Sequence, residues 1–224
     1  MNEQDVGVHI DVYSDVICPW CFIGKRRLEQ ALGQVGSAQP AQVLWRPFEL
    51  NPTMPKEGLD RRSYLEAKFG GAGTLQTMQD RVAEAGEAAG IEFAFDRIAR
   101  TPNTFDAHRL IWFAGQQCCQ DDVVEALFFS YFTEGRDIGN LDSLTKVAAD
   151  CGLNREEVRV FLASDRAVQE VRTEEAAGHR LGIRGVPYFL LNGRLSISGA
   201  QPPDIFVSAL QQAKDTVMER KDGA

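Results

Sequence analysis

The sequence predicts an α/β chain with strands towards its two ends and a helical middle, and three observations carry that prediction. Near the start, an apolar alternating run (Val8, Ile10, Val12) leads through Cys18-Pro19-Trp20-Cys21 into a helix-like stretch from Phe22 to Leu32. Near the end, Gly185-Val186-Pro187 opens two apolar runs, Tyr188-Phe189-Leu190-Leu191 and Leu195-Ser196-Ile197-Ser198, parted by Asn192-Gly193. Between these ends, segments of helical period follow one another with capping residues at their starts and glycines at their stops.

Taken in order, strands are expected at Val6 to Tyr13 and Val43 to Phe48, with the cysteine-bearing helix crossing between them. Gly70-Gly71-Ala72-Gly73 reads as an interhelical loop, and Thr74 to Ala89 as a helix stopped by Gly90. Thr104 to Cys119 and Asp121 to Thr133 carry wide apolar faces that include Leu110, Trp112, Phe113, Leu127, Phe128 and Phe132. Asn140 leads a helix from Leu141 to Cys151, and Asn154-Arg155-Glu156-Glu157 has the form of a capping box opening another. Asn192-Gly193 suits a hairpin because both turn positions need positive φ. Pro187 falls at the opening of a strand, one of the few places where a strand tolerates proline. A closing helix is expected over Pro203 to Glu219, with Ile205, Phe206, Ala209, Leu210, Ala213 and Val217 on one face. The chain divides accordingly into an N-terminal α/β part (1–58), an inserted helical domain (59–179) and a C-terminal α/β part (180–224).

The chemistry is concentrated in the CPWC turn. Two thiols three positions apart on one helical turn are close enough to join as a disulfide. Pro19 suits the first helical position, where its missing N–H has no partner to lose. Cys18 is then the N-cap, facing free N–H groups and the positive end of the helix dipole, which stabilise a thiolate. A free cysteine has a pKa of about 8.5, whereas thiols in such turns range from about 7 down to about 3.5. Two other readings apply to a CxxC pair. Half of a zinc site would need further ligands, but Cys118, Cys119 and Cys151 do not repeat the spacing and His9, His108 and His179 are scattered, so no metal is expected. An inert buried pair fits poorly where a strand hands over to a helix, usually an exposed edge.

Nearby residues each allow two roles. Lys25 either helps hold a thiolate or lies on a solvated helix face, the better expectation. His108 either reaches an active-site cleft or is a hydrogen-bonded core histidine, and Glu49 either relays a proton to Cys21 or is a solvated strand-end carboxylate. Trp20 shapes substrate access. A disulfide between Cys118 and Cys119 is disfavoured because its strained ring fits poorly inside a helix. The local sequence at Pro187 favours an ordinary trans proline.

Composition narrows the setting. The 224 residues are 44% hydrophobic, ample for a packed core, and the net charge of −8 argues against nucleic acid or an anionic membrane surface as partner. No apolar run approaches the length of a membrane span, and Met1-Asn2-Glu3-Gln4-Asp5 has neither a basic nor an apolar signal region. With five cysteines, of which the non-motif ones read as small buried hydrophobes, a cytoplasmic protein is expected.

Together these residues resemble the DsbA family of the thioredoxin superfamily, and within it the FrnE-like proteins. The resemblance rests on Ser14-Asp15-Val16-Ile17-Cys18-Pro19-Trp20-Cys21-Phe22-Ile23-Gly24, on Trp45-Arg46-Pro47-Phe48-Glu49-Leu50-Asn51-Pro52, on Asn103-Thr104-Phe105-Asp106-Ala107-His108-Arg109-Leu110, and on Gly185-Val186-Pro187 with Ser198-Gly199-Ala200-Gln201. It implies a thioredoxin-like fold with an inserted all-helical domain, and a cis Pro187 beside the active-site cysteines. The activity it implies is that of a thiol–disulfide oxidoreductase or isomerase, in which Cys18 attacks, Cys21 resolves and Pro187 completes the site. Pro19, Trp20, Val186 and His108 are the expected substrate-binding residues, with the Val186 backbone pairing with an extended protein segment. Protein thiols and disulfides are the expected substrates; no cofactor is expected, with glutathione as a redox partner.

A second resemblance is to the HCCA isomerase and kappa-class glutathione transferase families, through Arg46-Pro47-Phe48-Glu49-Leu50. Their nucleophile position commonly holds serine, whereas here Cys18 and Cys21 form a dithiol that conjugation to glutathione does not need. A redox-idle binding module or client-holding chaperone is a third reading and would leave both thiols at an ordinary pKa.

Overall fold

Val8, Ile10 and Val12 make the central strand: fully buried valine and isoleucine on alternate positions give β1 (Val8–Ser14) an inward face from its first residue. The computed structural model describes residues 7–36 and 40–222, with backbone alone from 215 onward. The expectations for Met1 to Val6 and for the Val217 side chain lie outside the described residues. From β1 the chain enters α1 (Pro19–Val35) and returns as β2 (Ala41–Pro47), parallel to β1 with Val12 opposite Trp45. On the other side of β1, antiparallel β5 (Tyr188–Leu191) places Phe189 opposite Val12, and β6 (Leu195–Ser198) follows through the hairpin, giving the order β2-β1-β5-β6. Asn192 and Gly193 take φ of 50° and 66°, as the two-residue turn requires. The Asn192 side chain also accepts a hydrogen bond from the His9 N–H at 2.9 Å, tying the turn to the central strand.

The edge strand β2 is closed from outside. One amide, that of Gln120, accepts from the Trp45 N–H at 2.9 Å and donates to the Trp45 carbonyl at 3.2 Å. The Trp45 indole donates to Asp121 at 2.9 Å. The final helix, α9 (Pro203–Asp222), packs on α1, and its Phe206 ring meets Phe189 edge-on at 4.8 Å.

Between β2 and β5 the chain forms α2 (Arg61–Phe69), α3 (Ala72–Glu87), α4 (Phe105–Gly115), α5 (Gln120–Phe132), α6 (Leu141–Asp150), α7 (Arg155–Leu162) and α8 (Val168–Arg180). A two-stranded ladder, β3 (Leu59–Asp60) with β4 (Arg100–Thr101), lies among them. Asn140 and Asn154 cap α6 and α7, their side chains accepting from the Ser143 and Glu157 N–H groups at 2.9 and 3.0 Å. Two expectations move. The loop read over 70–73 shrinks to Gly70 and Gly71, at φ of 84° and 112°, because Ala72 and Gly73 already belong to α3. The helix expected to reach Cys119 stops at Gly115; Cys118 sits at φ 58° and Cys119 is the N-cap of α5. Cys118 and Cys119 therefore lie between two helices rather than inside one, and both are free thiols.

The residue after Cys21 joins sheet and helices. Phe22 of α1 is stacked on Phe128 of α5 at 5.0 Å and meets Phe93 edge-on at 6.2 Å. One continuous buried cluster accordingly runs from Ile10 and Val12 through Phe22 to Phe161. Arg109 stitches the other side: buried on α4, its guanidinium donates to the carbonyls of Phe161 and Leu162 at 3.1 Å and of Arg166 at 2.8 Å, holding the C-terminal end of α7.

Candidate active site

The turn after β1 is built by Asp15. Its carbonyl accepts from the Cys18 N–H at 2.9 Å, and its carboxylate accepts from the Leu50 N–H at 2.7 Å, so one residue fixes the start of the cysteine helix and ties it to the segment after β2. Cys18 is the N-cap of α1 in an extended conformation (φ −92°, ψ 111°), with Pro19 at the first helical position; its side chain makes no capping hydrogen bond, and its carbonyl accepts from the Cys21 N–H at 3.0 Å. The two cysteines are free thiols, Cys18 5% exposed and Cys21 fully enclosed. The exposed edge expected for this pair is thus corrected at Cys18: it is covered, its Sγ lying 3.6 Å from the Val186 carbonyl oxygen. The Val186–Pro187 bond is cis, and Pro187 is buried while Trp20 is 38% exposed beside the turn. Gly24 lets α1 approach this strand: a Cβ there would stand 3.0 Å from Pro187 Cγ and 3.1 Å from the Phe189 ring.

Burial pushes the Cys21 thiol well above its usual range, and the Cys18 sulfur adds to that. The Ser14 hydroxyl and the Asp15 backbone act in the opposite direction.

Behind the cysteines lies a polar array. His108, from α4, is 3% exposed, with its Nε2 3.6 Å from Asp15 Oδ1. The substrate-facing position expected for His108 is not found; the structure encloses the ring, because α4 packs over the Asp15 turn. Glu49 is not a solvated carboxylate: it is 3% exposed, 2.6 Å from Arg172, and its backbone N–H donates to Glu175 at 2.9 Å. Burial, then the charge of Glu175, raises the Glu49 pKa, while His108 and Arg172 lower it. Lys25 departs from expectation in the same way. It is 2% exposed rather than solvated, and its ammonium meets Glu29, Asp121 at 3.0 Å and Glu125 at 3.3 Å, because α5 crosses this side of α1. Its charge is thus matched by carboxylates of α1 and α5.

The sequence alone gives no role to Ser14, Asp15, Arg172 or Glu175. Asp15 stands only three residues before Cys18, but nothing local distinguishes it from an ordinary strand-end carboxylate; besides the Ile17 N–H at 3.5 Å, its side-chain partners, Leu50 and His108, come from far along the chain. Among the described residues no group of three or more His, Cys, Asp or Glu could hold a metal ion, and no helix is long and apolar enough to cross a membrane.

Comparison with known proteins agrees with this geometry. A model of the DSBA-like thioredoxin domain matches residues 9–211. The chain is 31% identical over 205 residues to YwbO, an uncharacterized protein of Bacillus subtilis (strain 168), covering 91% of this chain and 96% of that one. A crystal structure of the probable DsbA oxidoreductase of Streptomyces coelicolor superposes with a TM-score of 0.86 at 33% identity, over 92% of this chain and 89% of the other. The cytosolic disulfide reductase DsbM of Pseudomonas aeruginosa, solved with GSH, shares the fold at a TM-score of 0.64 and 19% identity, over 91% and 98% of the two chains. With a thioredoxin-type sheet, a helical insertion and a cysteine pair at the head of α1, the chain belongs to the DSBA-like thioredoxin domain family.

Proposed function

We propose that the protein is a thiol–disulfide oxidoreductase or isomerase acting on protein or small-molecule thiols and disulfides. The observation that carries this reading is the inequality of its two thiols: Cys18 heads a helix beside the Val186 carbonyl, and Cys21 is sealed behind it with its proton held by burial. Cys18 exchanges with the substrate sulfur to form a mixed disulfide, and Cys21 then displaces the substrate thiol to leave the Cys18–Cys21 bond. The Val186 backbone, beside the attacking sulfur, offers an extended segment a place to pair, and Trp20 and Pro19 offer it apolar surface. A cytoplasmic setting suits the reading, since a reducing compartment keeps Cys118, Cys119 and Cys151 as thiols.

Glutathione enters as a redox partner. The glutathione conjugation of HCCA isomerases and kappa-class transferases has less support, because it leaves Cys21 with nothing to do. Turnover of insulin disulfides in the presence of a thiol reductant tests the main reading. Cys18→Ser is expected to abolish it, and turnover by that variant equal to the unmodified protein would sink the proposal. Calorimetric titration of glutathione into the Cys18→Ser, Cys21→Ser form tests the conjugation chemistry, which tight reversible binding would favour.

A further inference from the structure

Away from the cysteines, the helical segment holds a second concave site. A cavity of about 580 Å³ lies between α2, α3 and the 93–98 segment, and neither the CPWC turn nor the cis-proline loop lines it. Sites for small molecules commonly enclose roughly 300–1,000 Å³. Arg61, the first residue of α2, lines this cavity and is only 9% exposed. The backbone fixes it on both sides. Its N–H donates to the Ala99 carbonyl at 3.0 Å, and Asp60 before it caps the helix by accepting from the Ser63 N–H at 2.9 Å.

The charge of Arg61 is unmatched. Its neighbour Arg62 pairs with Glu66 at 2.8 Å, but Arg61 forms no ion pair among the described residues. Its guanidinium stands over the Phe95 ring, 5.3 Å from the centroid, and beside the Tyr131 hydroxyl, both neutral. Buried charges are ordinarily paired, because taking them out of water is costly. The other buried cations of the described residues follow that rule: Lys25 meets Asp121 at 3.0 Å and Arg109 meets Asp106 at 2.7 Å. Arg61 is the exception, and it is the one that faces a cavity.

The rest of the lining says what the anion is attached to. Phe93 and Phe95, stacked at 5.0 Å, with Leu75 and Ile98 give the cavity an apolar wall. Around it the charge is negative. Arg62 offsets Glu66, but Asp80, which accepts from the Gln76 amide at 2.8 Å, and Asp96 have no cation in ion-pair reach among the described residues. One guanidinium takes one carboxylate through two parallel hydrogen bonds. Stacked rings favour a flat apolar body, and the acidic surround disfavours a second negative charge. We propose that this cavity binds a small aromatic monocarboxylate, with its carboxylate in the fork of Arg61 and its ring against Phe93 and Phe95. The Phe93 ring also meets Phe22 edge-on at 6.2 Å, so an occupant lies one ring away from the residue that follows Cys21.

Calorimetric titration of the reduced protein with 2-naphthoate tests this. Saturable binding at one site per chain is expected. 2-Naphthalenemethanol, the same ring without the charge, should bind at least about tenfold more weakly. Naphthalene-2,6-dicarboxylate should also bind more weakly than 2-naphthoate, because its second charge meets Asp80 and Asp96. Arg61→Met, close in length and uncharged, should weaken 2-naphthoate at least about tenfold and leave the affinity for the alcohol unchanged. Ala83→Phe fills the cavity from the half-buried side of α3 and should abolish binding; it stands in for Arg61→Met should that variant fail to fold. Trp20→Ala, at the cysteine turn, should leave the affinity for 2-naphthoate as it is. The proposal is overturned if 2-naphthoate does not bind the unmodified protein at millimolar concentration, or if the dicarboxylate binds more tightly. Binding untouched by Arg61→Met or Ala83→Phe, or lost in Trp20→Ala, overturns it equally.

Discussion

At the scale of single residues, enclosure decides which sulfur meets reagents first. Cys21 is fully sealed and its thiol is raised by burial, whereas Cys18, at the head of α1, keeps the little exposure the pair has. Brief treatment of the reduced protein with iodoacetamide at about neutral pH, read by mass spectrometry, should label Cys18 and leave Cys21 untouched, with the exposed Cys118 as internal reference. Equal labelling of Cys18 and Cys21 would overturn the assignment. The same physics acts on stability. Burial, followed by the charge of Asp122, pushes the Cys151 thiol up to about 11 from an ordinary 9.0. The folded state therefore keeps the proton to higher pH than the unfolded chain, so stability is level below about pH 9 and falls as pH rises towards about 11. Urea midpoints measured from about pH 8 to about pH 11 should show that fall, and Cys151→Ala should make it shallower, the remainder belonging to the other raised thiols, Cys21 above all. An identical slope in the variant would place the effect elsewhere.

At the scale of elements, caps and close approaches set the lengths and seats of the helices. Asn154→Ala removes the acceptor for the Glu157 N–H and should cost about 1 kcal/mol, a fall in Tm of about 2–4 °C. Gly178 on α8 serves close approach instead. A Cβ there would lie 2.7 Å from Tyr13 Cε1, so the helix rests directly on the ring of β1. Gly178→Ala should destabilise by about 1–3 kcal/mol through overpacking, seen as a lower urea midpoint with unchanged slope; an unaffected midpoint would mean the ring moves freely. Features of this kind divide into legible and hidden. The Asn154 cap, the Asn192-Gly193 turn, the Pro19 start and the strand faces are readable because each depends on neighbours within a few residues. Lys25, Glu49 and His108 are misjudged or left open because their partners, Asp121 on α5, Arg172 on α8 and Asp15 in the turn after β1, lie far away in the sequence, where no local pattern reports them. The end of α4 is hidden for a related reason: Cys118 adopts positive φ without being glycine, so the sequence carries no mark of the break.

At the scale of the molecule, Phe22 makes the CPWC helix part of the helical segment's core rather than of the sheet alone. Since one buried cluster runs through both, thermal unfolding followed by Trp fluorescence and by far-ultraviolet circular dichroism should give coincident single transitions. Two separated transitions would show that the inserted helices melt on their own. Lys25 is the ionic counterpart of that contact. Lys25→Ala leaves Glu29, Asp121 and Glu125 without their shared cation, and should lower stability by about 1–3 kcal/mol, the partners being partly solvated. A double-mutant cycle with Asp121→Asn should show coupling between α1 and α5, and strict additivity would remove Lys25 from the interface. The family-like block around His108 also becomes intelligible here, since Arg109 beside it anchors α7 to α4 and so holds His108 over the Asp15 turn.

The single amide that Gln120 spends on Trp45 bears on how these molecules behave in company. An uncovered outer strand is a template on which another chain can assemble. With both backbone groups of Trp45 occupied, β2 offers an incoming strand no continuous ladder across its centre. A chain lacking the Gln120 amide would thus be expected to associate through this edge, with copies of itself, more readily than the unmodified protein.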